Sequence, residues 1–409
     1  VTTVDLAHAP SLPLVASDVM SNDGGTVCAL SQAEFTRPSF LAAWEELITQ
    51  ASEPNPYFEP WFILPSFEQF TSDTGQYTAH HGDKPSDKHN VLAVYDGDAM
   101  IGLCPMAVSV DYYGNPVPHM KAWLHDNAFC GAPLIAKGYE ELFWQKLLHW
   151  CDRNPGRATF LHLPHLPADG PANAALNAVL DQTGRKAADV HKSARAMLAS
   201  DATPSEYLEA SMSTKKRKEL RRQRKRLEDH GILVIERASG IDRIEPWIAD
   251  FLALEAAGWK GDAGSALASA SQTKDFFAAT LSGAAQAGRL DRLSMLLDGR
   301  PIAMLANFVT PPGAYSFKTT FDEAFARFSP GLLLQIENLE MLARADVEWT
   351  DSCAVQGHSM IERIWRGKRR MVSRNIAIGG PLRRLIFAGL MAYETRGQRK
   401  NQATGNTPS

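Results

Sequence analysis

The chain has 409 residues, 44% hydrophobic and 22% charged, with a formal net charge of -4. That is too long for one ordinary core and points to two or three domains. The mildly acidic balance does not imply wholesale nucleic-acid binding; only a local basic run argues for an anionic partner. Five cysteines without a CxxC pair argue against a disulfide framework and for a reducing cytoplasm. The N-terminal stretch lacks the basic start and apolar core of a signal peptide. No run approaches the ~20 apolar residues that a membrane-spanning helix needs.

In chain order, residues 1–26 are rich in Pro, Ser, Ala and Asp and read as a loosely held arm. A short strand is expected at 27–30 and a helix at 39–50, with Ser39 as its cap. An aromatic and proline segment follows, NPYFEPWFILPSFEQF (55–70). VLAVYDGDAMIGLCPMAVSV then reads as a hairpin turning at Asp96-Gly97. A strand at 121–124, the loop HDNAFCGAPL (125–134), a helix at 139–151 and a strand at 158–166 complete the first half. Residues 204–230 read as one helix ended by Gly231, and its segment Lys215 to Arg226 carries nine basic side chains against one Glu.

The second half repeats the order. A strand at 232–236 precedes helices at 244–257 and 273–287. RLSMLLDGRPIAMLANFV reads as a hairpin turning at Asp298-Gly299, and a third strand covers 314–321. The loop DEAFARFSPG feeds a helix at 332–345, a strand at 347–352, a short helix at 360–367 and a last strand at 371–378. Two hairpins in equivalent places, each followed by strand, loop, helix and strand, indicate an internal duplication at domain scale. The expected units are 27–203 and 232–380, with the basic helix 204–231 between them. Residues 381–409 form an amphipathic helix and a disordered tail. Leu382, Leu385, Ile386, Leu390 and Tyr393 fall on one face of that helix beside Arg383 and Arg384, a pattern suited either to its own domain or to anionic lipid.

KTTFDEAFARFSPGLLL (318–334) carries the chemistry. A strand ends, a loop turns, and a helix opens with Ser329 as N-cap and Pro330 at the first helical position. Gly331 bares backbone N–H groups at the positive end of the helix dipole, a seat for phosphate to which Arg327 and Lys318 add charge. TKKRKELRRQRKRLEDHG, FLALEAAGWKG, LDGRPIA and FKTTFDEAFARFSPGLLL together resemble the cellulose-biosynthesis-type (CelD/BcsL-like) acetyltransferases. These are GNAT-superfamily enzymes related to the FemAB ligases of peptidoglycan bridges. The resemblance covers roughly 205–371 well and the first half more loosely.

It implies an α+β chain of tandem GNAT-like domains, each a mixed, mostly antiparallel sheet flanked by helices. The second unit would bind acyl-CoA as donor, with no metal. Thioester and pantetheine would lie along Tyr315, Phe317 and Thr319, and the phosphates at Arg327, Ser329, Gly331 and Leu332. The first unit would shape the acceptor site instead. Amide formation needs a gripped donor, an amine relieved of its proton and donors for the oxyanion. Glu255, Lys318, Asp322 and His125 are the catalytic candidates. Trp259, Lys260, Asp126, Asp351 and His358 are candidates for binding the acceptor. The expected acceptor is a primary amine of a cell-envelope precursor, an amino-lipid of the sphingoid type, or alternatively an amino sugar acetylated for exopolysaccharide. The expected location is the cytoplasm or the inner face of the membrane, in peripheral contact with anionic lipid. Nucleic acid is not expected as a partner. The rival readings are an aminoacyl-tRNA-dependent Fem-like transferase, for which the basic run would hold RNA, and a non-catalytic scaffold.

Overall fold

The computed structural model describes residues 25–71 and 88–404. In the first half the strands are β1 (Thr26–Leu30), β2 (Lys88–Asp96), β3 (Ala99–Ser109), β4 (His119–Ala122), β5 (Leu134–Ile135), β6 (Phe160–Pro167) and β7 (Ala187–Leu198). In the second they are β8 (Leu233–Ala238), β9 (Leu290–Leu297), β10 (Arg300–Thr310), β11 (Gly313–Phe321), β12 (Trp349–Asp351) and β13 (Gly367–Ala377). The first-half helices are α1 (Gln32–Phe35), α2 (Pro38–Gln50), α3 (Pro60–Phe70), α4 (Glu140–Arg153) and α5 (Pro171–Thr183). Then come α6 (Pro204–Ser211), α7 (Thr214–Glu228), α8 (Ile244–Ala256), α9 (Trp259–Asp262), α10 (Ser271–Gln286), α11 (Pro330–Glu337) and α12 (Pro381–Thr404).

All thirteen strands join one sheet, in the order β1-β2-β3-β4-β6-β13-β7-β12-β11-β10-β9-β8, with β5 paired to β3 off that path. The order reads the same from both ends once β1–β4 are matched to β8–β11, β6 to β12 and β7 to β13. In both halves the fourth strand pairs parallel to the next, β4 to β6 and β11 to β12, and the rest of the ladder is antiparallel. The last strand of each half is inserted beside the other half. β13 lies between β6 and β7, and β7 between β13 and β12.

The hairpins show how the local chemistry sets register. Leu297 pairs with Arg300, so Asp298 and Gly299 are the turn residues, with φ of 49° and 79°. Positive φ at both positions is the mirror-image turn whose twist suits a hairpin, and Asp-Gly is the pair that adopts it cheaply. In the first half the turn slips by one residue. Asp96 is still in the ladder opposite Ala99, and the turn is Gly97-Asp98 with Gly97 at φ 57°.

Other elements depart from the sequence reading. The helix at 39–50 starts one residue earlier, with Pro38 at its first position and Arg37, not Ser39, as the cap residue. The helix read over 204–230 is two: α6 ends at Ser211, and Ser213 caps α7 by accepting the Lys216 N–H at 3.4 Å. The helix read over 332–345 starts at Pro330, and 3-10 turns replace its second half over Asn338–Ala343. Residues 167–203, where the sequence pattern predicts no element, hold α5 and β7. α12 continues through residues 401–404, against the expectation of disorder there. Most of the N-terminal arm, the pair His80-His81 and residues 405–409 lie outside the described residues.

At the centre of the sheet Arg369 of β13 stands directly opposite Arg195 of β7. Two like charges facing each other across a ladder repel, and two carboxylates resolve the conflict. Asp351, fully buried at the end of β12, takes Arg195 at 2.7 Å and Arg369 at 3.4 Å through the same oxygen. Its other oxygen accepts the Cys353 N–H at 2.8 Å. Glu53 pairs with Arg369 at 3.2 Å, and burial lifts its carboxyl to about 7 against the pull of that arginine. Asp351→Asn leaves two buried guanidinium groups facing each other and should cost about 3–5 kcal/mol, as breaking a buried pair does. The urea midpoint reads this out, and an unchanged midpoint would contradict the assignment.

Candidate active site

The site follows from where β11 parts from β12. The two pair only over Gly313↔Trp349, Ala314↔Thr350 and Tyr315↔Asp351. Beyond Tyr315, β11 runs on for six residues with β10 on one side and no strand on the other among the described residues. Its register against β10 jumps from Lys318↔Ala306 to Ser316↔Asn307, which makes Phe317 an extra, bulged residue. A bulge bends the strand and leaves backbone groups outside the ladder. The result is a wedge whose wall is an unpaired strand edge, able to hydrogen-bond an extended amide chain as a further strand would.

In the first half the equivalent wedge is closed by the chain itself. β4 and β6 pair over Met120↔Leu161 and Lys121↔His162 only. The loop after β4 then turns back, with the Trp123 N–H on the Pro105 carbonyl and the Gly131 N–H on that of His165. A Cβ at Gly131 would fall 2.0 Å from the Pro164 carbonyl oxygen, so only glycine lets this loop lie so close to β6. Asn55 pins the loop further, donating to the carbonyls of Cys130 and Ala132 at 3.1 and 2.7 Å. Phe129 is thereby presented to the open wedge of the second half.

Half-buried Lys318 stands just past the bulge, its ammonium 5.4 Å from the ring centroids of both Phe129 and Phe317. It forms no hydrogen bond or ion pair with another described residue. Burial is the main cause that pulls its pKa down from 10.5 to about 8, followed by repulsion from Lys260. Glu255, Cys353 and Asp126 act weakly in the other direction. Behind it Tyr57 donates to, or accepts from, the Cys353 thiol at 3.1 Å, and packs edge-on to Tyr315 and Phe129. Burial pushes the Cys353 thiol well above its ordinary range, with the Asp351 carboxylate adding to it, so both groups stay protonated. The Tyr315 hydroxyl, in turn, donates to the Pro54 carbonyl at 2.7 Å. The halves thus meet at this wedge through the aromatic segment and the 125–134 loop.

The other candidate residues fall as follows. Glu255 is buried and takes Lys260 at 2.7 Å and the Leu267 N–H at 2.8 Å, tying α8 to α9, which starts at Trp259. Trp259 itself is 60% exposed, and its N–H is held by Glu323 at 2.8 Å. Asp126 is exposed on the rim. His125 is not the available base expected of it. The Asn127 N–H occupies Nδ1 at 3.3 Å, so Nε2 carries the proton and donates to Ser66 at 3.0 Å. Burial, then Lys318, lowers its pKa to about 3. Asp322 caps a 3-10 turn through the Ala324 N–H and pairs with Arg300 at 2.9 Å. Asp351 is committed to the central arginines and exposes nothing to a ligand. His358 lies beyond the exit of β12, within electrostatic reach of Glu362.

The phosphate seat read at 327–332 is also different. Ser329 occupies the cap position in the left-handed region (φ 57°) and makes no side-chain cap. Its carbonyl instead takes the N–H groups of Leu332 and Leu333, both at 3.0 Å, which removes them as anion donors. A side chain on Gly331 would meet the Phe321 ring at 3.1 Å, so this glycine serves packing. Arg327 is exposed, stacked on Phe328 at 4.7 Å. Thr319 accepts from Gln335 at 3.4 Å, and Leu332 is buried. Along α7, Arg217 and Arg224 turn inward to Glu209 and Glu337, both at 2.6 Å, while Lys215, Lys218, Arg221, Arg222, Lys225 and Arg226 face solvent. Sequence reasoning misses Tyr57, Phe129 and Cys353. The odd composition of the 55–70 segment is the one available signal, since their proximity to Lys318 exists only after folding.

Residues 214–357 match the family model described as an acetyltransferase (GNAT) domain. The match to a GNAT acetyltransferase domain covers 214–357 alone, and the strand order around that segment recurs in the first half of the same sheet. FemX shares 9% identity, covering 85% of this chain and 98% of its own, with a TM-score of 0.54. A conserved protein of unknown function from Bacteroides thetaiotaomicron is 11% identical over 82% of this chain and 96% of its own, with a TM-score of 0.50. A tandem GNAT protein from the clavulanic acid biosynthesis pathway is 16% identical over 87% and 99%, with a TM-score of 0.42. No curated protein sequence matches the chain. At these identities FemX and the Bacteroides protein speak to the fold alone.

Proposed function

We propose that the protein is an acyl-CoA-dependent N-acyltransferase that forms an amide on a primary amine. The observation that carries this is the open edge of β11 beyond Tyr315, inside a segment that matches an acetyltransferase domain. The pantetheine amides of the donor extend that edge, and the thioester carbonyl lies by the bulge at Phe317, where freed backbone N–H groups receive the oxyanion. The acceptor enters between Trp259 and the Phe129 loop and reaches Lys318. An alkyl ammonium, with an ordinary pKa near ~10.4 as for lysine, meets the same dry, cation-repelling surroundings that weaken Lys318 as an acid-holder. Both effects favour loss of its proton at the site. Lys318 in its neutral form takes that proton; as the C–N bond forms and the tetrahedral adduct collapses, the C–S bond breaks and CoA leaves as a thiol, the proton coming back from Lys318. The CoA phosphates find their charge partners on Arg327 and the solvent face of α7 rather than on the α11 terminus.

The acceptor class in this reading is an envelope precursor, as in the CelD/BcsL-like group that the second half resembles, and the half-buried Phe129 ring beside Lys318 favours an amino-lipid. A thermal-shift series from acetyl-CoA to palmitoyl-CoA tests it. Stabilisation that rises with chain length supports acylation of a lipid amine. A response to acetyl-CoA alone moves the reading to amino-sugar acetylation. No response at any length, with free CoA also inert, overturns the donor assignment.

A further inference from the structure

We infer that α12 is a docking surface for anionic lipid bilayers. The helix is anchored to the body by one face only. Phe387 and Met391, one turn apart, are buried against Tyr112, Phe160 and Val190, and half-buried Leu390 packs beside them. The opposite face carries Leu382, Leu385, Ile386 and Tyr393, which are 71%, 70%, 45% and 83% exposed. Spacings of three, four and seven residues put these side chains on one stripe. The loop after β3 flanks the anchored side of the helix, where Tyr112 packs with Phe387 and Met391. Tyr112 donates to Glu394 at 3.0 Å, which places that loop against the helix, and its neighbours Val110 and Tyr113 are 39% and 65% exposed. Four of the twelve exposed large apolar side chains among the described residues therefore lie on this one stripe. Scattered single apolar residues need no explanation, but a contiguous patch does.

The charge around the stripe selects the occupant. At its N-terminal end Arg383 reaches the carbonyl of Gly156 at 2.7 Å, and Arg384 pairs with Asp152 at 3.2 Å. This brings the loop 153–157 alongside, with Arg153 and Arg157 exposed on it. Four arginines thus lie at the end of the helix that carries Leu382, Leu385 and Ile386, where Asp152 is shared between Arg185 and Arg384, while the carboxylates Glu394 and Asp111 stand at the tyrosine end. Tyrosines stand at the other end. Apolar side chains rimmed by cations, with amphipathic tyrosines at the margin, suit the interface of a bilayer bearing negative headgroups. A second copy of the same surface would bring the four arginines of each together and suits it badly. Among the described residues no helix is long and apolar enough to cross a membrane, so the contact is peripheral.

The test is co-sedimentation of the full chain with vesicles of phosphatidylcholine alone and with added phosphatidylglycerol, and it requires no acyl transfer. The wild-type protein should pellet with the anionic vesicles and not with the neutral ones. L382E together with L385E, both on exposed positions, should weaken that binding about tenfold or more, as expected for loss of interfacial apolar contacts. R153E together with R157E keeps the stripe and should remove the preference for anionic lipid. Thermal unfolding of each variant checks that the fold is kept. The proposal is overturned if the wild type ignores anionic vesicles, if both variants pellet like wild type, or if the stripe substitutions dissolve a lipid-independent dimer seen by light scattering.

Discussion

A chain ending at Arg366 should fail to fold, in both halves. β13 supplies ten residue pairs to β7 and is the antiparallel neighbour of β6. Without it β7 keeps only Thr350↔Leu198 and Asp351↔Met197, and β6 keeps only two pairs to β4. Arg369 leaves with the strand, so the buried Glu53 loses its partner and Asp351 loses one of two. Each lost ladder hydrogen bond is worth roughly 0.5–1.5 kcal/mol net, and a domain is stable by only about 5–15 kcal/mol. The expected outcome is an aggregating chain without a cooperative thermal transition. The converse experiment uses fragments 25–203 and 204–404. Each holds the strand the other lacks, so each alone should be insoluble, and coexpression should recover a soluble complex. A fragment 204–404 that unfolds cooperatively as a monomer would show that the exchanged strands are dispensable.

Lys318→Met should slow transfer by roughly 10²–10⁴-fold while making the protein more stable. An ammonium half-buried between Phe129 and Phe317, without a carboxylate partner, is held there at a cost. Its pKa of about 8, against 10.5 for a free side chain, measures that cost. Below pH 8 the side chain is protonated in folded and unfolded chains alike, and the full desolvation penalty applies. Between pH 8 and 10.5 the unfolded chain binds more proton, so stability rises with pH as the penalty fades. Methionine removes the penalty, and the gain should be roughly 1–3 kcal/mol at pH 7, shrinking as pH rises towards 10.5. If neutral Lys318 is the proton acceptor, kcat/KM in the wild type climbs with pH through about 8, and removal of such a base costs on the order of 10²–10⁴-fold in rate. Loss of activity with gain of stability marks a group kept for function at the expense of the fold. A Met variant that turns over like wild type, or one that is less stable, sinks the assignment.

Local chemistry makes much of the chain legible from its residues alone. Asp298-Gly299 can only be a tight hairpin turn, and Asp96-Gly97 marks the other to within one residue. Ser-Pro-Gly announces the start of α11, and the repeated order of strands and helices announces two related units. Lys318 stands out because an ammonium in a strand of apolar and small residues is hard to explain as core, and folding places it just past the bulge at Phe317. Glu255 and Asp322 look equally chemical. Their carboxylates are spent on Lys260, a backbone N–H and Arg300, which no spacing along the chain reveals.

Pairing between distant segments is different in kind. β7, AADVHKSARAML, has too many charged and small residues to read as a strand. It becomes one because β13 and β12 offer it ladders, and because Asp351 neutralises the arginines that face each other across it. The same distance in sequence separates Tyr57, Phe129 and Cys353 from Lys318. Turns, most helix starts, the duplicated order and the resemblance of 214–357 to an acetyltransferase domain are therefore written in short stretches of residues, where neighbouring side chains act on their own backbone. The exchange of β7 and β13, the filled wedge of the first half and the open one of the second arise from long-range hydrogen bonding and burial. Those energies depend on which segments meet, and local propensity does not encode that.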